Sequence, residues 1–230
     1  MSYTYVNPFK AFGEMHNEGL DYVANNYNLS DNIESLASVI LDFFETKTGI
    51  VESDFTRKTI IADLIESFNY STINANPFFV SNTFTSVAKD GLDKIKDICV
   101  NGTPMSTVIA QLNGLSNKFQ QASVKIRDYE VLLGSIAIAQ SSASYWQNVT
   151  NNIGSTPWDP WMPPYGPNYS DAAPIWAAMD AIGYAVGWLR YSESHEGGDF
   201  VYEDCIKQAA RTALLFSCAY VAFVVVVVLL

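Results

Sequence analysis

The sequence is poor in the side chains that most often build catalytic and metal sites. Its 230 residues include two histidines and three cysteines, Cys99, Cys205 and Cys218. No C-x-x-C spacing is present, and three cysteines cannot form a disulfide framework. Cys218 lies in an apolar run, which is typical of a small buried hydrophobic residue.

Positive charge, and charge in general, is also scarce. Thirteen basic residues stand against 24 acidic ones, for a net charge of −11, and charged residues make up only 16% of the chain. Nucleic-acid binding needs clustered lysines and arginines, so it is not expected here. Hydrophobic residues reach 49%, which excludes a disordered chain and indicates a well-buried core or contact with a membrane.

Motifs of the common enzyme classes are absent from the sequence as well. It has no G-x-S-x-G, G-x-x-x-x-G-K-[ST], G-x-G-x-x-G or EF-hand loop. His16 would point away from the helix face that Glu14 and Glu18 share, and His195 precedes two glycines. We therefore expect polar surface or capping roles for both histidines. The sequence predicts no catalytic residue, no metal and no cofactor, and hence no enzyme; an unrecognised acidic site beside His16 is the alternative.

The first half of the chain has the periodicity of amphipathic helices. Apolar residues recur three or four positions apart from Phe12 to Val23 and from Ile33 to Phe44, with Asp31 as the predicted N-cap and Gly49 as the predicted end. These helices predict an all-α bundle over residues 1–150. A third predicted helix follows a cap at Ser53 or Asp54 and has the apolar face Ile61–Phe68. A fourth has the apolar face Phe84–Ile98, with Val87 included. The last follows Thr103-Pro104, has the apolar face Leu115–Gln140 and is predicted to continue as one long helix to about Val149.

Residues 151–170 are predicted to be a linker. Five prolines between Thr156 and Pro167 remove backbone donors and fix φ, which excludes a helix or a central strand. Trp158 and Trp161 in this segment are amphipathic enough to lie at a membrane interface or against a partner. The alternative is a loop whose aromatic rings cap the core of the bundle.

Residues 171–230 are predicted to form an apolar helical hairpin. Its first segment, Ala172–Leu189, has Asp180 as its one charged residue and contains Gly183-x-x-x-Gly187. Small residues at this spacing let two helix backbones approach closely, either in lipid or inside a soluble bundle. Asp180 opposes insertion of this segment alone, so it would be neutral or face a polar interior.

The second segment of the hairpin, Thr212–Leu230, has no charged residue. As a helix it would be ~28 Å long, close to the ~30 Å of a bilayer core. Its twelve Leu, Val and Phe residues would favour insertion by about 4 to 7 kcal/mol. A membrane helix, a buried core helix and a buried strand are all consistent with such a run.

The N-terminal residues carry a resemblance. Asn7-Pro8-Phe9 is followed by Gly13, then His16-Asn17, then Gly19-Leu20-Asp21. This order resembles the opening of an uncharacterised bacterial protein family, N-P-aromatic and then G-x-x-H-N-x-G-L-D, whose members often have a small-residue C-terminal segment similar to bacteriocin-like peptides. The resemblance implies no known activity. Physically, Asn7-Pro8 predicts a turn, and His16-Asn17 is expected to bond polar backbone beside it.

The favoured interpretation is a non-enzymatic, membrane-associated protein with a transmembrane helix, or an interaction protein that buries its hairpin in a helical protein partner. No cleavable signal peptide is predicted, and the sequence indicates no particular small-molecule ligand. The alternative is a wholly soluble, cytoplasmic helical binding domain in which residues 212–230 form the core helix. The residues predicted to contact the membrane or the partner are Gly183, Gly187, Asp180, Phe216, Phe223, Val226, Trp158 and Trp161.

Overall fold

The structure of the chain is a computed structural model. It describes residues 7–28, 31–49, 51, 53–54, 57–59, 61–62, 84–101, 104–122, 125–162, 169–195 and 200–229, and of residues 169–172, 219–220 and 222–229 only the backbone. Over these residues the structure is helical and has no strand, so the predicted all-α class is confirmed. The α-helices are α1 (Lys10–Asn26), α2 (Ile33–Thr48), α3 (Ser86–Asn101), α4 (Met105–Gln121), α5 (Ile126–Asn151), α6 (Tyr169–Ser194) and α7 (Tyr202–Leu229), with a 3₁₀ turn at Asp159–Trp161 between α5 and α6.

The two ends of α2 show how local sequence sets its limits. The N-cap is Asn32, one residue after the predicted Asp31, and the Asn32 side-chain oxygen accepts a 2.9 Å hydrogen bond from the Ser35 backbone N–H. Asparagine and aspartate are equally good N-cap residues, so residue type alone does not decide which of these two neighbours begins the helix. At the other end Gly49 adopts φ 70°, the left-handed conformation that the sequence predicted for it.

Removing this cap gives a measurable loss of stability. Asn32→Ala leaves the Ser35 N–H without its side-chain acceptor, and we expect it to lower the free energy of unfolding by about 1 kcal/mol. Asn32→Asp restores an acceptor and should restore most of the loss. Urea titration followed by circular dichroism compares the two variants, and equal stability of Asn32→Ala and wild type would contradict the assignment of the cap.

Two other predictions about the first half need correction, and a third is confirmed only in part. The long helix predicted to reach Val149 is two helices, because Ala122 and Lys125 have extended backbone with ψ near 145°. Ile126 therefore starts a new helix and is 70% exposed instead of continuing the apolar stripe. Val87, predicted on the buried face of α3, is 44% exposed. The helix after Ser53 is confirmed only at residues 54, 57–59 and 61–62; Leu64, Ile65 and Phe68 lie outside the described residues.

The hairpin helices α6 and α7 pack against each other through small residues. A Cβ on Gly183 would lie 2.9 Å from Ala213 Cα, and a Cβ on Gly187 would lie 2.8 Å from Ala209 Cα. Two backbones this close leave no room for a larger side chain. The predicted hairpin contact is therefore present, and it is made inside this chain's own bundle.

The described part of the apolar C-terminal segment is covered by the other helices. Helix α7 contacts α1, α2, α5, α6 and the 3₁₀ turn, and its side chains join one hydrophobic core with those of residues 1–150. The eight residues of segment 212–221 whose side chains are described expose 2% of their surface or less: Thr212, Ala213, Leu214, Leu215, Phe216, Ser217, Cys218 and Val221.

Within the described residues, no helix has the combination of length and apolarity that crossing a membrane requires. The prediction of a transmembrane helix is therefore wrong. Hydropathy alone does not distinguish a lipid-facing helix from one that is apolar on all sides because it lies at the centre of a bundle. The structure places α7 in the second situation over the part where its side chains are described, and segment 212–221 is a helix there, not a strand.

The aromatic residues of the linker pack into the bundle. Trp158 is fully buried and Trp161 is 1% exposed, and the two rings lie 5.0 Å apart between centroids. The Trp158 indole N–H donates to the Tyr145 hydroxyl at 2.6 Å, while Trp161 lies 5.3 Å from the ring of Tyr27. The described part of the linker thus caps the core, the second of the two roles that the sequence left open.

Candidate functional site

Four helices bring polar side chains together at the centre of the bundle. His16 on α1 and Asp180 on α6 are both fully buried, with 3.6 Å between His16 Nε2 and Asp180 Oδ2. Ser142 on α5 donates its hydroxyl hydrogen to Asp180 Oδ2. Ser217 on α7 also faces the Asp180 carboxyl. We call these four residues the central polar cluster.

The N-terminal motif positions His16 in this cluster. Gly13 permits α1 to approach α5 closely, because a Cβ there would lie 2.6 Å from the Ala137 carbonyl oxygen. Asn17 donates to the Ser141 carbonyl at 2.9 Å, which leaves its side-chain oxygen 3.2 Å from His16 Nδ1. The predicted surface or capping role of His16 is therefore wrong. Its neighbour Asn17 does bond backbone, but that backbone belongs to a helix more than 120 residues away.

Asn17 favours one tautomer of the neutral His16 ring. Its amide nitrogen is used as a donor to Ser141, so its oxygen is the group that faces His16 Nδ1. An oxygen accepts, and Nδ1 therefore carries the hydrogen. In the neutral ring, Nε2 is then an acceptor that points toward Asp180.

Burial shifts both ionisable groups of the cluster toward their neutral forms. It raises the pKa of Asp180 to about 7, against the opposing effect of Ser142, Ser217 and Trp146, which lie near the carboxyl. It lowers the pKa of His16 to about 4, although Asn17 and the Ala213 carbonyl favour the protonated ring. The charged form of each group loses its hydration in the core. Between these two values the pair holds one proton, on the carboxyl.

A serine, a histidine and an aspartate meet here, but not in the order that activates a nucleophile. Ser142 donates to Asp180 and not to His16, whereas a nucleophilic serine donates to the base. Burial raises the pKa of the Cys218 thiol well above its usual value, so this neighbour stays protonated. In the described part of the chain, no three His, Cys, Asp or Glu side chains are grouped to hold a metal ion.

A seam of polar side chains continues from the cluster along the contact between α5 and α6. We call it the polar seam: Ser135, Ser142 and Trp146 on α5, with Trp176, Asp180 and Tyr184 on α6. The two helices run antiparallel, so Trp146 lies 4.5 Å from Trp176 between ring centroids, Ser142 bonds Asp180, and Tyr184 packs on Gly134. All six residues of the seam are buried.

Many polar atoms of this region have no hydrogen-bond partner among the described residues. Leaving a buried polar group unsatisfied costs about 1–3 kcal/mol, so seven such atoms would cost about 7 to 20 kcal/mol, as much as the whole stability of a domain, about 5–15 kcal/mol. These atoms therefore require partners in the folded protein. They are His16 Nε2, Ser135 Oγ, Trp146 Nε1, Trp176 Nε1, Asp180 Oδ1, the Tyr184 hydroxyl and Ser217 Oγ.

Six of the eight residues predicted to contact a membrane or a partner are buried inside the chain. Contact with an outside molecule would require the helices to separate, and this assignment stays a prediction. His195 lies in the turn after α6, where its ring stacks on Tyr191 with 4.0 Å between centroids. The buried residues of the predicted set are Gly183, Gly187, Asp180, Phe216, Trp158 and Trp161; the side chains of Phe223 and Val226 lie outside the described residues.

Most residues of the site were not predicted from the sequence, although the spacing of three of them is visible there. Trp176, Asp180 and Tyr184 are spaced by four along an otherwise apolar segment, which places them on one side of a helix. Polar tips at such spacing in an apolar helix indicate a buried polar contact. Nothing in the sequence shows that His16, more than 160 positions earlier, completes it.

Comparison of the chain with protein-family models, with curated proteins and with solved structures finds no match. The resemblance of the N-terminal segment to a bacterial family stays a prediction. The structure gives its motif residues a physical role, since they dock α1. Asn7 donates to the Leu133 carbonyl at 2.8 Å, Asp21 accepts from the Tyr145 hydroxyl at 2.7 Å, and Gly19 packs on Leu214.

Proposed function

We propose that the chain is a non-enzymatic, self-contained helical binding domain in which α7 is the core helix. The observation that carries the proposal is the burial of segment 212–221, whose described side chains expose 2% or less. The described side chains of the hairpin are already covered, with α1, α2 and α5 packed against it, so we expect the contact surface to lie elsewhere. Binding is then the task of side chains that the bundle leaves exposed.

Three exposed apolar side chains lie at the starts of α5 and α7. Ile126 is 70%, Val201 49% and Tyr202 41% exposed. The neighbouring Phe200 ring lies 5.8 Å from the Arg127 guanidinium carbon, which ties the start of α7 to the start of α5. We call Ile126, Val201 and Tyr202 the junction patch. Contiguous exposed apolar groups with a polar rim are typical of protein-contact surfaces.

The partner that this patch fits is an amphipathic helix of another protein with charged residues of both signs beside its apolar face. The patch itself offers aliphatic and aromatic area, as grooves for amphipathic helices do. Charged residues of both signs surround it: Lys125 and Arg127 flank Ile126 in the sequence, and Glu203 is paired with Lys207 at 2.8 Å. Tyr202 lies near Glu130, which together with burial raises the pKa of the tyrosine to about 12.

Selection of helical peptides on the immobilised full-length chain, purified without detergent, tests the proposal. Peptides taken from a random amphipathic library should bind at the patch, and Ile126→Asp should weaken their binding at least tenfold. Val51→Asp is the matched control, since Val51 is also apolar and exposed (81%) but lies outside the patch. A chain that requires detergent to stay dispersed, or binders equally sensitive to both variants, would overturn the proposal.

A further inference from the structure

Four unpartnered polar atoms converge on Asp180 from four helices. His16 Nε2 comes from α1, Trp146 Nε1 from α5, Asp180 Oδ1 from α6 and Ser217 Oγ from α7, and all four are buried without a hydrogen-bond partner among the described residues. The His16–Asp180 separation of 3.6 Å is too long for a direct hydrogen bond. Trp146 and Ser217 are near enough to influence the carboxyl, yet neither meets hydrogen-bond geometry with it.

From this convergence we infer that the centre of the bundle is a binding site for an ordered water molecule, held by His16, Trp146, Asp180 and Ser217. Polar groups that face each other just beyond hydrogen-bond distance are commonly bridged by water. Buried waters typically make about three such bonds to otherwise unsatisfied groups. This inference concerns the core of the bundle and is independent of the junction patch.

The donors and acceptors of the site match a water molecule. The Trp146 indole can only donate, and His16 Nε2 accepts because Asn17 holds the hydrogen on Nδ1. The Asp180 carboxyl group and the Ser217 hydroxyl can each donate or accept, so they can form the remaining hydrogen bonds to the water. A ligand here must therefore accept from the indole and donate to the imidazole, as water does. A metal cation cannot accept from the indole N–H, and an anion without a hydrogen of its own cannot donate to Nε2.

The bound water also gives the proton of the pair a route. With 3.6 Å between His16 Nε2 and Asp180 Oδ2, a proton cannot pass directly along a hydrogen bond. A water that accepts from the carboxyl and donates to Nε2 connects the two groups, and one proton moved through it converts the neutral pair into carboxylate and imidazolium with no net change in protons bound. The site is thus a proton-conducting bridge between α1 and α6.

A crystal structure of the unmodified chain, at a resolution that shows ordered solvent, is the direct test. We expect a density peak within hydrogen-bond distance of at least three of the four atoms. Direct hydrogen bonds among the four side chains, with no peak between them, would overturn the inference.

Oxygen-17 relaxation dispersion of water provides a second test in solution, because it detects water oxygens and not exchangeable side-chain hydrogens. Ser217→Val places methyl groups in the site and removes a hydroxyl, so the signal of long-lived water should fall by one molecule. Ser116→Val is the control, since Ser116 is buried in α4 and its hydroxyl already accepts from Gln120. An unchanged signal in Ser217→Val, in a variant with the wild-type circular dichroism spectrum, would contradict the assignment.

Discussion

Asp180→Asn is expected to give a protein whose free energy of unfolding falls by about 3 kcal/mol as the pH is lowered from 6.5 to 4. The variant retains His16, whose pKa burial lowers from 6.5 to about 4 in the folded chain. Over this interval the unfolded chain binds a proton at the histidine and the folded chain does not, so falling pH favours unfolding. Asparagine reproduces the neutral carboxyl, which is the form that Asp180 has in most of this range.

His16→Gln should show the opposite dependence on pH. Asp180 then titrates alone, with its pKa raised by burial from 3.8 to about 7. The folded chain keeps a proton that the unfolded chain loses, so stability present at low pH is lost as the pH rises from about 4 to 7, by about 4 kcal/mol. The two variants therefore have slopes of opposite sign over the same range.

In the wild-type chain this pair itself should contribute no pH dependence between about 4 and 6.5. In that range the unfolded chain holds one proton, on histidine, and the folded chain holds one proton, on Asp180. Equal proton numbers in the two states give no slope. The neighbouring Cys218 and Tyr145 do not interfere, because burial raises the pKa of each far above this range. Glu130, whose pKa burial raises to about 6, adds the same pH dependence to the wild type and to both variants, so the variants are compared with the wild-type profile.

Urea unfolding at pH values of about 4.5, 5.5, 6.5 and 7.5 distinguishes the three profiles. Asp90→Asn removes an exposed carboxylate on α3 and should follow the wild type. Parallel profiles for Asp180→Asn, His16→Gln and wild type would show that the two groups do not form a neutral buried pair.

Gly187→Ala is expected to lower the free energy of unfolding by about 3 kcal/mol. Its Cβ would lie 2.7 Å from Thr212 Cβ and 2.8 Å from Ala209 Cα, both on α7. One of these is a backbone atom, so relief requires the helices to move apart and not merely a side chain to rotate. Gly187→Val should be more destabilising still, because it adds two further methyl groups at the same contact.

Gly114→Ala is the matched control for this effect. Gly114 also lies within a helix, but nothing lies within 4 Å of an added Cβ. Alanine has the higher helix propensity, so this variant should gain up to about 1 kcal/mol. Thermal unfolding of both variants against wild type measures the difference, and a Gly187→Ala protein as stable as Gly114→Ala would show that α6 and α7 are not in close contact.

Several helices could be predicted because their signals are local. The apolar periodicity of α2 and its Gly49 end are determined within one or two turns of chain. The boundary between α4 and α5 could not be predicted this way, because the apolar spacing continues across Ala122 while the backbone there is extended. Periodicity describes which face is apolar and does not detect a change of direction.

The central polar cluster could not be predicted because its members lie far apart in the sequence. His16, Ser142, Asp180 and Ser217 come from four helices and meet only when α1 docks on the hairpin. Each of them alone is compatible with a solvated position or a cap. What the sequence did indicate was that Asp180, if enclosed, would be neutral or would face polar groups, and the raised pKa of its carboxyl agrees with this.

The amino-acid sequence by itself determined that the chain is all-helical and that it ends in two apolar segments with small residues spaced by four. Both properties depend on spacing along the chain. Only the tertiary structure decided what covers segment 212–221 and which groups share the proton of Asp180. Hydrophobic burial is non-directional, so a sequence specifies how much apolar surface must leave water, and the packing of distant helices specifies where it goes.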